Sequence, residues 1–177
     1  MNEKLLELMP EFKEIRDAGL REKSEQVWIE AMKEGGWSFD DLNQMPFTLL
    51  IKSTGVNLVT HTLAVTRTAL GIADVLGEAY QGKVPVHRDH LLAGALLHDV
   101  GKMFEYKREA GRFVQSEHGR LLRHPVSGAA FASRFGLPDE VIHIIAAHSK
   151  EGDGLRRTIE AIIVNHADFV NFDVLKD

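Results

Sequence analysis

Seven consecutive residues, Leu91 to Leu97 (LLAGALL), constrain this chain more than any others, because a helix drawn through them is apolar on every face. Such a helix must be surrounded by protein. It runs directly into His98-Asp99, and Gly101-Lys102 then turns the chain away. An ionised Asp at the end of a buried helix costs several kcal/mol or so unless it is paired or coordinates a metal. His98 offers a nitrogen ligand, and Asp99 a carboxylate whose two oxygens can bridge two cations. Within this segment alone, an Asp99-Lys102 ion pair beside a structural His98 accounts for the pattern equally well.

The rest of the chain bears on that choice. There is no cysteine, which excludes disulfides and thiolate metal sites, so a metal would have to be held by His and carboxylate. Nine histidines are available among 177 residues. That length suits one domain, or one domain with an appendage. A net charge of -5 argues against coating nucleic acid by bulk electrostatics. No apolar run approaches the roughly 20 residues needed to span a bilayer, and no signal peptide is apparent. The expected compartment is therefore the cytoplasm, with no membrane partner.

The first fifty residues carry helical periodicity and no chemistry. Leu5, Leu6, Leu8, Met9, Phe12 and Ile15 fall at helical spacing over residues 3–17, where Pro10 breaks or kinks the helix. A second helix is expected over residues 20–34, stopped by Gly35-Gly36, and residues 40–54 read as a turn-rich connection around Pro46. A longer helix over residues 56–76 has Leu58, Val65, Ala69, Ile72, Val75 and Leu76 in one stripe. His61 lies inside that stripe, where a histidine needs a partner.

Beyond Lys102, residues 103–107 and 112–115 around Ala110-Gly111 read as a small hairpin, and Ser116 caps a short helical turn. His124 precedes Pro125, which suits the first position of the next helix, expected over residues 126–135. Arg120 and Arg123 nearby would suit an anionic substrate. A further helix starts after Pro138 and ends at His148, facing a glycine-containing loop of the kind where site residues commonly sit. In the last helix, about residues 158–175, Ile159, Ile162, Ile163 and Val170 define one side. Asp168 falls on the other, with Ala161, Val164 and Phe172.

Six residues thus stand out by their own surroundings: His61, His98, Asp99, His124, His148 and Asp168. Each has a structural explanation, but all six at buried helix faces and ends are jointly hard to explain without a cation. Four imidazoles and two carboxylates without sulfur suit one or two Fe, Mn, Co, Ni or Zn ions. The order H…HD…H…H…D, with LLHDVGK and the late HAD, resembles the two-metal branch of the HD-domain superfamily of metal-dependent phosphohydrolases. The resemblance covers about residues 57–173.

This resemblance implies an all-α fold, a helical bundle over residues 55–177, with residues 1–54 as an N-terminal helical extension. It implies two divalent ions, Fe or Mn ahead of the others. His61, His98, Asp99 and Asp168 would hold the first, and Asp99, His124 and His148 the second. Lys102 matches a family lysine placed to contact a substrate phosphate or the nucleophile. Arg120, Arg123 and Lys150 are weaker candidates for phosphate contacts. Two cations sharing a water lower its pKa and hold a bridging hydroxide, which would hydrolyse a phosphate mono- or diester of a small, nucleotide-like substrate.

Two other readings share these residues. One is a mixed-valent di-iron oxygenase of the inositol oxygenase type, which has the same ligand set. The other is a non-catalytic, metal-stabilised module that binds a nucleotide or a protein. The GYP signature of cyclic dinucleotide phosphodiesterases is missing, as is any glycine-rich phosphate loop. Substrate identity, metal identity and self-association as a homo-oligomer are not fixed by the sequence.

Overall fold

A computed structural model describes residues 2–51 and 54–176. Its helices start where a side chain can occupy the unpaired amides of the first turn. The chain begins with α1 (Asn2–Leu8), then Pro10 opens a 3-10 turn over Pro10–Glu14. The Asp17 carboxylate accepts from the Leu20 amide at the start of α2 (Ala18–Gly35), and Gly36 ends that helix in the left-handed region at φ 73°. Asn57 caps α4 (Leu58–Ala79) by accepting from Thr60 N, and His87 Nδ1 caps α5 (Arg88–Leu97) by accepting from His90 N.

Between α2 and α4 lies α3 (Phe39–Gln44), where a turn-rich connection was expected. Its start is a reciprocal box in which Ser38 accepts from Asp41 N and Asp41 accepts from Ser38 N. That carboxylate satisfies a donor which would otherwise face solvent unpaired. Residues 52 and 53 of the same connection lie outside the described residues.

After the His98-Asp99 turn come α6 (Lys102–Glu105) and the antiparallel strands β1 (Tyr106–Glu109) and β2 (Arg112–Gln115), registered Tyr106 against Gln115. The hairpin therefore begins later than expected, because residues 102–105 complete a helical turn first. Then follow α7 (Glu117–Leu121), α8 (His124–Ala132), α9 (Asp139–Ala147) and α10 (Ile159–Asp173).

Helix α5 is the axis of the bundle. All seven residues Leu91 to Leu97 are buried, as their all-round apolarity requires, and α2, α4, α9 and α10 pack around them. Gly94 lets α9 approach closely. A Cβ built there would stand 2.6 Å from two methyl carbons of Ile144 on α9. The N-terminal helices join the same core: Leu5, Phe12 and Trp28 are fully buried, and Trp28 Nε1 donates to the Leu96 carbonyl at 2.8 Å. Some stripes are narrower than the sequence suggests. Val75 on α4 and Ile162 and Val170 on α10 are 64%, 45% and 56% exposed. Among the described residues, no helix is long and apolar enough to cross a membrane.

Candidate metal centre

Five separate elements deliver the six residues singled out in the sequence. His61 sits one turn into α4, His98 and Asp99 follow α5, His124 opens α8, His148 follows α9, and Asp168 comes from α10. The four imidazoles and Asp99 are buried, while Asp168 is partly open to a cavity.

Backbone carbonyls orient two of the rings, and a carboxylate orients a third. His98 Nδ1 lies 2.6 Å from the Ala95 carbonyl, and His148 Nδ1 lies 2.7 Å from the Ile145 carbonyl. A carbonyl only accepts, so both Nδ1 atoms carry a hydrogen, and each Nε2 is turned toward the cluster, where it offers a lone pair when the ring is neutral. His124 is held differently: Glu105 Oε2 accepts from its Nδ1 at 2.6 Å and from its backbone amide at 2.7 Å. An imidazole backed by a carboxylate in this way is the usual arrangement behind a metal-bound nitrogen.

The Nε2 atoms point at one another. His124 Nε2 and His148 Nε2 face each other at 3.3 Å, and stand 3.2 and 3.8 Å from Asp99 Oδ1. On the other side, Asp99 Oδ2 lies 3.3 Å from His98 Nε2 and 3.6 Å from His61 Nε2. Asp168 Oδ1 completes that side, 3.0 Å from His61 Nε2 and 3.9 Å from His98 Nε2. His98 Nε2 is buried with no hydrogen-bond partner among the described residues. Ligands at about 2.1 Å from a common ion are separated by about 3.0 to 3.4 Å in octahedral or tetrahedral geometry. The observed spacings are close to that, and the donor atoms of His61, His98 and Asp168, and those of His98, Asp99 and His148, form compact groups able to hold an ion.

The electrostatics favour positive charge at this point. Burial, with the His98 and His124 rings beside it, pushes His148 down to about 3, which keeps it a neutral donor. Burial would raise the Asp168 carboxyl, but its His61 contact and nearby His98 hold it at about 2. Asp99 likewise stays well below the usual carboxylate range because Lys102 and then His98 outweigh its burial. Burial disfavours a charge on His98, yet Asp99 more than offsets this and raises its pKa, so a cation is welcome at that nitrogen.

Lys102 occupies the wall of the site. Its Nζ donates to Asp99 Oδ2 at 2.6 Å and to the Phe47 carbonyl. The ion pair anticipated as the alternative to a metal is therefore present. It satisfies one oxygen of Asp99 and leaves His98 Nε2 without a partner among the described residues and the convergence of His124 and His148 on Asp99 unexplained.

A cavity of about 380 Å³ opens onto these residues. Arg123 and Lys150 line it, as does Asp168, whereas Arg120 does not, being exposed on α7 away from the lining. Arg123 Nε also pairs with Glu105 Oε1 at 2.9 Å. Two residues escape the sequence reading: Glu105, which fixes His124, and Phe47, whose carbonyl accepts from Lys102. For Glu105 the signal was present, a carboxylate one helical turn after Lys102 in an otherwise apolar stretch.

A helical bundle built around a histidine and carboxylate centre, with α5 ending in the His-Asp pair, is the class of protein that fold and site define. Residues 58–171 match the family model of the HD domain, and the chain belongs to that family. It is 42% identical over 113 residues to the dihydroneopterin 2′,3′-cyclic phosphate phosphodiesterase of Methanocaldococcus jannaschii, covering 63% of this chain and 44% of that protein. It is 30% identical over 159 residues to the ribonuclease Y of Rubrobacter xylanophilus, covering 90% of this chain and 26% of that one. The ribonuclease Y of Thermobifida fusca is 32% identical over 119 residues, 67% of this chain and 19% of its own length. This chain thus spans less than half the length of these relatives. No solved structure matches it.

Proposed function

We propose that this chain is a metal-dependent phosphohydrolase that cleaves a phosphate ester of small, nucleotide-like substrates, diesters ahead of monoesters. The observation that carries the reading is the pair of donor groups sharing Asp99, with the unpartnered His98 Nε2 on one side and the facing His124 and His148 nitrogens on the other. In this reading His61, His98, Asp99 and Asp168 hold one divalent ion, and Asp99, His124 and His148 hold a second. Divalent ions there would supply Lewis acidity to a phosphoryl group and lower the pKa of a water.

The chain's own residues do the rest. Lys102, anchored by Asp99 and the Phe47 carbonyl, offsets charge that grows on phosphoryl oxygens. Lys150 and Arg123 at the cavity wall attract the anion. Residues 55–177 supply the ligand set, and residues 1–54 contribute through Phe47 and the following loop. The names of the relatives, a cyclic phosphate phosphodiesterase and ribonucleases, support diester chemistry.

The test is elemental analysis of the purified protein, loaded with Mn or Fe, alongside phosphate ester hydrolysis under air and under nitrogen. The panel holds a 2′,3′-cyclic phosphate, a linear diester and monoesters. Two ions per chain are expected, with diester turnover unaffected by oxygen. Two irons with oxygen consumption and no ester cleavage would establish the oxygenase instead, and a metal-free, inactive chain would return the cluster to a structural role.

Glu105 gives an independent check. Glu105→Gln keeps the shape but weakens the carboxylate behind His124, so affinity for the more weakly held ion should fall about 10- to 100-fold. Metal titration by calorimetry reads this directly, and an unchanged isotherm would remove Glu105 from the site.

A further inference from the structure

The cavity has one wall that neither the core nor the ligand cluster accounts for. Phe169 and Phe172 follow Asp168 on α10 by one and four residues, and Asp168 and Phe172, four residues apart, share a helix face. Both rings line the cavity and are half-buried. Among the described residues, neither belongs to the main hydrophobic cluster, and the buried residue that Phe172 meets is Phe47. Leu49 and Leu50 line the same cavity with 38% and 75% of their surface exposed.

The orientation of Phe172 is fixed from below. The buried Phe47 ring meets it edge to face, with centroids 6.0 Å apart. One face of the ring carries the ammonium of the exposed Lys176, 4.7 Å from the centroid, a side chain that a stacking group would displace. Apolar surface left open beside convergent polar groups marks a place where a ligand completes the packing. The volume of about 380 Å³ is that of a small-molecule site. A long polyanion would need a continuous basic track, whereas here Arg123 is already paired with Glu105 and the chain carries a net charge of -5.

Resting on the phosphohydrolase reading above, we propose that Phe172 and Phe169, with Leu49 and Leu50, form a subsite for the planar heteroaromatic ring of a small phosphate ester. The ring stacks on Phe172 while the phosphate lies over the Asp99 cluster. Stacking tolerates any flat heterocycle, so the subsite selects for the presence of a ring and only weakly for its identity.

Equilibrium binding tests this without turnover. AMP and ribose 5-phosphate differ by the base alone, and each is titrated by calorimetry into the full chain loaded with Mn. AMP should bind about tenfold or more tightly than ribose 5-phosphate, as loss of one base–aromatic stack implies. Phe172→Ala should bring AMP to within about twofold of ribose 5-phosphate, and leave the latter unchanged. Phe172→Leu, which keeps most of the apolar volume, should do the same and covers the case in which the alanine variant fails to fold. Equal affinity of the native chain for both ligands, binding of neither, or a full AMP preference surviving in Phe172→Leu would overturn the proposal. Ester hydrolysis is measured separately, so a chain that prefers AMP but cleaves nothing would defeat the catalytic reading and leave the ring subsite standing.

Discussion

Asp99→Ala should leave the chain with little or no bound metal and lower kcat/KM for its ester substrate by at least about 10³-fold, the scale of losing a central electrostatic element. Asp99 is the one side chain whose two oxygens face both donor groups, Oδ1 toward His124 and His148 and Oδ2 toward His61 and His98. Its removal also leaves the buried Lys102 ammonium with the Phe47 carbonyl as its remaining partner, so a stability loss of about 3–5 kcal/mol should accompany the effect. Asp99→Asn retains the shape and separates the two consequences, because it lacks the bridging charge but still packs. His166→Ala serves as the control, since His166 is exposed on the same helix as Asp168 and should leave metal content unchanged. Two ions per chain in Asp99→Ala, by elemental analysis, would show that this residue bridges nothing.

Gly101→Ala should be nearly as damaging, although residue 101 carries no chemistry. A Cβ at that position would fall 2.1 Å from the His124 carbonyl oxygen and 2.7 Å from the Gly128 amide nitrogen, both of them backbone atoms that cannot swing aside. Helix α8 must therefore retreat, taking His124 away from Asp99. The expected cost is about 1–3 kcal/mol or more from overpacking, a fall in melting temperature of about 5–10 °C, and loss of one of two bound ions. Gly128→Ala is the graded comparison, since its Cβ would come no closer than 3.0 Å to Gly101 and should be milder. A Gly101→Ala protein that melts like the native chain and binds two ions would mean that α8 does not depend on this approach.

The parts of this architecture that the sequence made legible are those written in local chemistry. Leu91 to Leu97 read as a buried helix, which puts His98 and Asp99 at its end inside the bundle. Pro125 announces the start of α8 and thereby the placement of His124, and Ser116 announces α7. The failures have local causes too. The start of α3 was signalled by Ser38 and Asp41, but the turn-forming Pro46 and the short apolar stretch beyond it masked a helix of only six residues. Ile162 and Val170 match a helical stripe, yet periodicity reports which residues share a face and not whether another helix arrives to cover it. Glu105 and the Phe47 carbonyl escaped notice for a different reason. Their partners lie 19 and 55 residues away in sequence, and one of the acceptors is a backbone oxygen that no residue type encodes.

That backbone oxygen bears on how far this family's segment is a portable unit. The matched region begins at residue 58, but the carbonyl that seats the Lys102 amine and the leucines at the cavity mouth come from residues 47–50. A cassette cut at the family boundary and grafted elsewhere would carry every imidazole and carboxylate of the centre while lacking the fixture that aims its lysine. The metal-ligand candidates and the carbonyl that seats Lys102 thus come from different stretches of the chain.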